Sequence, residues 1–222
     1  TKPLEDGPGT GRCLVNVTPD AQRSMTTFLG AAGFVSPDDI DESQIARAEI
    51  TFFEGYLFEQ PVARQAFIRA CAIAKREGKR AALTLSDASC VDRQFDELQQ
   101  FIPQHVDILL ANDREAETLF QSDDLNVIAD KARKMCPLTA VTLSEKGSML
   151  IPRDGDVVKV DAVKPDQLVD TTGAGDAYSA GFLYGWAQDW PLAECAKLGT
   201  HCATQVIQQV GARIEPGLLD SF

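Results

Sequence analysis

From Ile50 onward the chain alternates between short apolar runs and longer amphipathic stretches. Ile50-Thr51-Phe52-Phe53, Ala81 to Leu85, Val106 to Leu110 and Thr139 to Leu143 are apolar, rich in β-formers and short enough to be strands. Between the first two, Pro61 opens a predicted helix whose apolar face is Ala63, Ala66, Phe67, Ala70, Cys71 and Ala74, and Gly78 closes it. Further helices are predicted around Phe95 to Phe101, Arg114 to Phe120 and Leu125 to Met135. Strands and helices in alternation indicate βαβ units, hence a mainly parallel sheet covered on both faces.

Outside that stretch the pattern changes. The first dozen residues, with Gly7, Pro8, Gly9 and Gly11, read as a loop. An extended run, Cys13 to Thr18, ends at the turn pair Pro19-Asp20, and a second follows near Met25 to Leu29. Asp154-Gly155 lies between two β-prone runs and predicts a tight hairpin. Two helices then follow, about Gly175 to Gln188 and Pro191 to Gln209. The second carries the stripe Leu192, Cys195, Ala196, Gly199, Ala203, Val206 and Val210. No repeat or linker interrupts the 222 residues, so one α/β domain is expected.

Composition narrows the partners. With 33 acidic against 21 basic residues the net charge is −12, which opposes non-specific binding to nucleic acid or to an anionic membrane. No apolar run approaches the roughly 20 residues that cross a bilayer, and no charged-then-apolar leader is present at the start. The six scattered cysteines form neither a disulfide framework nor a zinc pattern, and are expected as buried, reduced thiols suited to the cytoplasm.

The densest chemistry lies in Asp170-Thr171-Thr172-Gly173-Ala174-Gly175-Asp176, directly before a helix. Gly173 and Gly175 allow a tight turn and leave N–H groups unshielded. Those groups are the unpaired first-turn donors of the helix, at the positive end of its dipole. They suit a phosphoryl group, and Asp176 at the rim suits a base that takes the proton of an attacking hydroxyl. The plainer alternative is an N-capping loop in which Thr172 or Asp170 caps the start of the helix and the glycines merely turn the chain. Asn112 and Glu115 lie one helical turn apart after a predicted strand, where they can share a water-coordinated Mg²⁺ or simply form a capping box.

The 170–176 run resembles the D-T-x-G-A-G-D signature of the PfkB/ribokinase family of carbohydrate and nucleoside kinases. The resemblance extends from about Gly9 to Gly211, and the segment Arg23-Ser24-Met25 gives it the flavour of the adenosine-kinase-like branch. It implies a ribokinase-like three-layer α/β/α fold, with residues 1–30 as strands adjoining a lid. It also implies that the N-terminal strands, a Gly-Gly motif, an acceptor-binding Asp and most of the lid lie outside this sequence.

The resemblance further implies roles. Asp176 becomes the catalytic base and Gly173, Ala174 and Gly175 the anion hole. Asn112 and Glu115, as the family's N-x-x-E, hold Mg²⁺ against ATP. Thr142 and Gly147 carry over from a T-x-G-x-x-G motif at the ATP site, with Ser144 replacing the first glycine. Thr172 and His201 are nucleotide-binding candidates, although a plain helix histidine fits His201 as well. Asp170 and Thr171 are candidates for a monovalent cation such as K⁺. Cys13, Tyr56 and Leu57 are candidates for the acceptor site, with ordinary packing as the alternative. The implied function is transfer of the ATP γ-phosphate to a primary hydroxyl of a sugar or nucleoside, adenosine-like acceptors being favoured. A non-catalytic descendant of the same fold is the alternative, and monomer and homodimer both stay open. A dinucleotide oxidoreductase is set aside because Tyr178 stands where G-x-G-x-x-G needs its third glycine, and a Walker ATPase because its motif is absent.

Overall fold

The computed structural model of the chain describes residues 6–214. Two strands come first, β1 (Thr10–Val17) and β2 (Arg23–Gly30), paired as a ribbon. β1 begins at Thr10, inside the stretch expected as loop. The chain then divides into two compact units: residues up to Arg12, Thr27–Val141 and Ile151–Val157 make the first, and Cys13–Thr26, Thr142–Leu150 and residues from Val158 onward the second.

The first unit is a layered α/β body. Strands β3 (Ile50–Glu54), β4 (Arg80–Thr84), β5 (Ile108–Asn112) and β6 (Leu138–Thr142) lie side by side in that order. β3 to β4 and β4 to β5 run parallel, with Phe53 opposite Leu83 and Leu83 opposite Leu109. Ala82, Leu83, Ile108 and Leu109 are buried on successive positions, as strands covered on both faces require.

Helices α1 (Glu42–Arg47) and α2 (Gly55–Phe58) flank β3, and α3 (Pro61–Arg76) follows with Pro61 at its first turn. Every residue of its expected apolar face is buried. Phe67 meets Phe53 at 4.5 Å between ring centres, and Phe58 meets Phe101 at 5.0 Å. Phe101 lies on α5 (Phe95–His105), which is preceded by a short helix, α4 (Ala88–Arg93), that the sequence pattern does not announce. α6 (Asp113–Phe120) and α7 (Leu125–Met135) complete the unit.

In the second unit residues Ser148–Leu150 of β7 (Ser148–Pro152) pair antiparallel with β8 (Val158–Val160), Ser148 opposite Val160, and the expected Asp154-Gly155 turn lies between the two strands in the sequence. Helices α8 (Ala174–Ala187) and α9 (Leu192–Val206) pack closely. A Cβ on Gly181 would lie 2.8 Å from the Leu198 carbonyl, and one on Gly199 equally close to that of Tyr178. The expected stripe of α9 is buried or half-buried except for Val210, which lies beyond the helix end and is 81% exposed. Five cysteines are buried as expected, whereas Cys13 is exposed on β1 because neither face of the ribbon is covered there. Among the described residues no helix is long and apolar enough to cross a membrane.

Candidate functional site

In the second unit the 170–176 run forms a turn that ends on the first residues of α8. Gly173 takes the left-handed conformation (φ 80°), and a Cβ there would meet Ala212 at 2.6 Å. Ala174 N–H bonds to Thr171 O and Ala177 N–H to Gly173 O. Among the described residues no protein acceptor faces the N–H groups of Gly173, Gly175 or Asp176. A Cβ on Gly175 would meet nothing within 4 Å, so packing does not demand that glycine. Asp176, exposed, is the third residue of the helix. Open first-turn donors with a carboxylate beside them are an arrangement able to hold an anion next to a proton acceptor.

The loop is held from behind. Asp170 is 2% exposed, and its Oδ1 accepts hydrogen bonds from Thr172 N–H (2.9 Å) and Thr172 Oγ1 (2.6 Å) while Oδ2 accepts from Gly211 N–H (3.0 Å). The Thr172 hydroxyl, with the Gly211 and Thr172 N–H groups and the Arg23 charge adding to it, holds the Asp170 carboxyl below the usual carboxylate range against the opposing effect of burial. Thr171 Oγ1 accepts from Arg23 Nη1 at 2.6 Å and donates to Ala21 O at 3.2 Å.

Other residues of this unit stand as follows. Thr142 ends β6, and the turn after it closes with Leu143 N–H bonded to Gly147 O at 2.7 Å. Gly147 (φ 86°) has the Val160 carbonyl 1.9 Å from where a Cβ would sit, so no other residue fits. Ser144 adopts φ 53°, a left-handed backbone that glycine would take at no steric cost. His201 is half-buried on α9.

In the first unit a second group collects at the carboxyl ends of parallel strands, where open α/β sheets bind ligands. Asn112 ends β5 and caps α6 in a reciprocal box: its Oδ1 accepts from Glu115 N–H (2.9 Å), and Glu115 Oε2 and Oε1 accept from Asn112 N–H (2.9 Å) and Nδ2 (2.7 Å). Glu115 is 4% exposed. Burial, with Asp87 and Asp113 nearby, pushes its carboxyl up to about 7 against the Asn112 hydrogen bond. Tyr56, 40% exposed after β3, donates its hydroxyl to Ser86 O at 3.3 Å. Burial chiefly, then Asp87, Cys90, Glu54 and Glu115, pushes that hydroxyl up to about 12. Leu57 is half-buried on α2. Asp87, Ser86 and Glu54 were not singled out from sequence. Their one signal is position, each standing at the end of a parallel strand or just beyond it.

These features fit a metal-assisted phosphate chemistry. Glu115 is a buried carboxyl near the carboxylates of Asp87 and Asp113, and hard oxygen donors are what Mg²⁺ prefers. Among the described residues no three His, Cys, Asp or Glu side chains close into a metal cage.

Residues 4–217 match the family model for the pfkB family of carbohydrate kinases. The chain belongs to the PfkB family. Its likeness to solved PfkB-type structures gives it the ribokinase-like α/β fold with a mainly parallel central sheet. The adenosine kinase of Sinorhizobium meliloti superposes on all of the chain and 68% of its own with a TM-score of 0.96 at 41% identity. A probable sugar kinase from Rhizobium etli CFN 42 does so at 40% identity, also with a TM-score of 0.96, over all of the chain and 67% of its own. The adenosine kinase of Saccharomyces cerevisiae is 31% identical over 91% of this chain, which spans 62% of that relative's length. Within the family the chain thus falls in the adenosine-kinase-like branch.

Proposed function

We propose that the full protein carrying this chain is an ATP-dependent kinase that moves the γ-phosphate of ATP to a primary hydroxyl of a sugar or nucleoside, with an adenosine-like acceptor favoured. One observation carries the reading: Gly173, Gly175 and Asp176 present N–H groups with no protein acceptor among the described residues, beside an exposed carboxylate. The acceptor oxygen attacks the γ-phosphorus as Asp176 takes its proton. The new O–P bond forms, the bond to the bridging oxygen breaks, and ADP leaves. The N–H groups of the turn hold the phosphoryl oxygens as charge shifts among them.

Asn112 and Glu115 would hold Mg²⁺ through its waters, and the bound ion would neutralise phosphate charge. Release of the Glu115 proton accompanies that role. Thr142, Gly147, Thr172 and His201 are assigned to the nucleotide, and Cys13, Tyr56 and Leu57 to the acceptor together with Asp176. The five buried thiols and the charge of −12 support a cytoplasmic protein whose partners are small molecules rather than nucleic acid or membrane.

The test is ATP consumption by the full-length protein over a panel of nucleosides and sugars. Turnover with one acceptor class is expected. Measurable Mg·ATP binding with no turnover on any acceptor would remove the kinase reading.

A further inference from the structure

The family resemblance implies a monovalent cation at Asp170 and Thr171, and the side chains of this loop do not fit one. Both oxygens of Asp170 already accept, Oδ1 from the N–H and hydroxyl of Thr172 and Oδ2 from Gly211 N–H. Thr171 Oγ1 gives its proton to Ala21 O and accepts from the Arg23 guanidinium at 2.6 Å. Arginine stays protonated at any working pH, and a second positive charge at the same hydroxyl meets like-charge repulsion in partly desolvated surroundings.

The same contacts do the mechanical work a cation would do. Ala21 and Arg23 clamp the loop on one side. On the other, Ile207 O accepts from Val169 N–H at 2.9 Å and from Asp170 N–H at 3.3 Å, and Ala212 abuts Gly173. The backbone that carries the open N–H groups is therefore fixed by protein alone.

We propose that the 170–176 loop of this protein needs no monovalent cation at Asp170 and Thr171, because the Arg23 guanidinium and the Gly211 N–H already supply the positive charge and the donor that an ion would replace. Arg23 is then a positioning residue acting through Thr171. The activity arm of the test rests on the kinase reading; the stability arm does not.

The experiment compares the full-length protein in KCl, NaCl and choline chloride at matched ionic strength, by thermal melting with and without Mg·ATP and by turnover. Wild type is expected to melt at the same temperature in all three salts and to turn over at rates within about twofold, the sign of negligible coupling between cation and site. Arg23→Met removes the charge and keeps the stem, and is expected to gain a K⁺-specific rise in melting temperature. Arg23→Lys keeps the charge and is expected to stay indifferent to the cation. A K⁺-specific stabilisation or activation of wild type overturns the proposal. So does a folded Arg23→Met protein that ignores the choice of cation. If Arg23→Met does not fold, Arg23→Gln takes its place with the same expected outcomes. Absence of turnover in every salt would remove the kinase reading and leave the melting result to decide this one.

Discussion

Glu115 allows a prediction with a worked magnitude. Its folded value is about 7 against an ordinary 4.5, because burial disfavours the charged form and Asp87 and Asp113 add to that. An acid whose folded value is raised binds its proton more tightly folded than unfolded. Its contribution is therefore most favourable below pH 4.5 and is lost as pH rises through about 7. A gap of about 2.5 units corresponds to about 3 kcal/mol. Glu115→Gln has no charge to bury, so it escapes this loss, although it disturbs the two hydrogen bonds from Asn112 at every pH. The assay is urea unfolding of both proteins without metal at steps from pH 4 to pH 8. Taking the difference between them cancels the titrating groups that do not interact with Glu115. The variant is expected to gain on wild type by about 3 kcal/mol across that range. A difference that stays flat with pH would refute the reasoning and mean that Glu115 titrates in the folded protein as it does in the unfolded chain.

Three further outcomes are expected. Gly175→Ala meets open space and should leave the melting temperature unchanged or slightly raised, yet lower turnover roughly 10²-fold by crowding the phosphoryl group; Gly173→Ala, left-handed and facing Ala212, should instead cost about 2 kcal/mol of stability in denaturant unfolding. Asp170 contributes stability that is present above the usual carboxylate range and lost as pH falls through its lowered value, so wild type should out-melt Asp170→Asn at neutral pH and the gap should close under strong acid. Of the six thiols, Cys13 should be the one alkylated in the native protein, with the five buried ones reacting only after unfolding, as read by peptide mass spectrometry.

Periodicity served best where helices are long. The apolar face of α3 between Pro61 and Gly78 and the limits of α7 could be read directly, since several turns of pattern outweigh any one residue. α4 escaped notice because six residues are too few to show a period, and what starts it is the single Asp87 cap, whose carboxylate accepts from Ser89 and Cys90. Cys13 was misjudged because burial was argued from residue type, whereas its strand belongs to an uncovered ribbon. In the site the same contrast holds. Residues 170–176 are contiguous and legible as a unit. Ser86 and Asp87 become neighbours of Tyr56 and Glu115 only through the parallel register of β3, β4 and β5, which no local pattern encodes, whereas Glu54 lies two residues before Tyr56 and accepts from its N–H. The Arg23 contact with Thr171, 148 positions away in sequence, is of the same kind.

The central claim is that Asp176 takes the acceptor's proton beside an anion hole formed by the first N–H groups of α8. The measurement that meets it most directly is the turnover number of Asp176→Asn in the full-length protein, at saturating Mg·ATP and acceptor. The substitution keeps the size of the side chain and removes its basicity. The expected result is a fall of roughly 10²- to 10⁴-fold with Mg·ATP affinity retained. Turnover close to wild type would contradict the account.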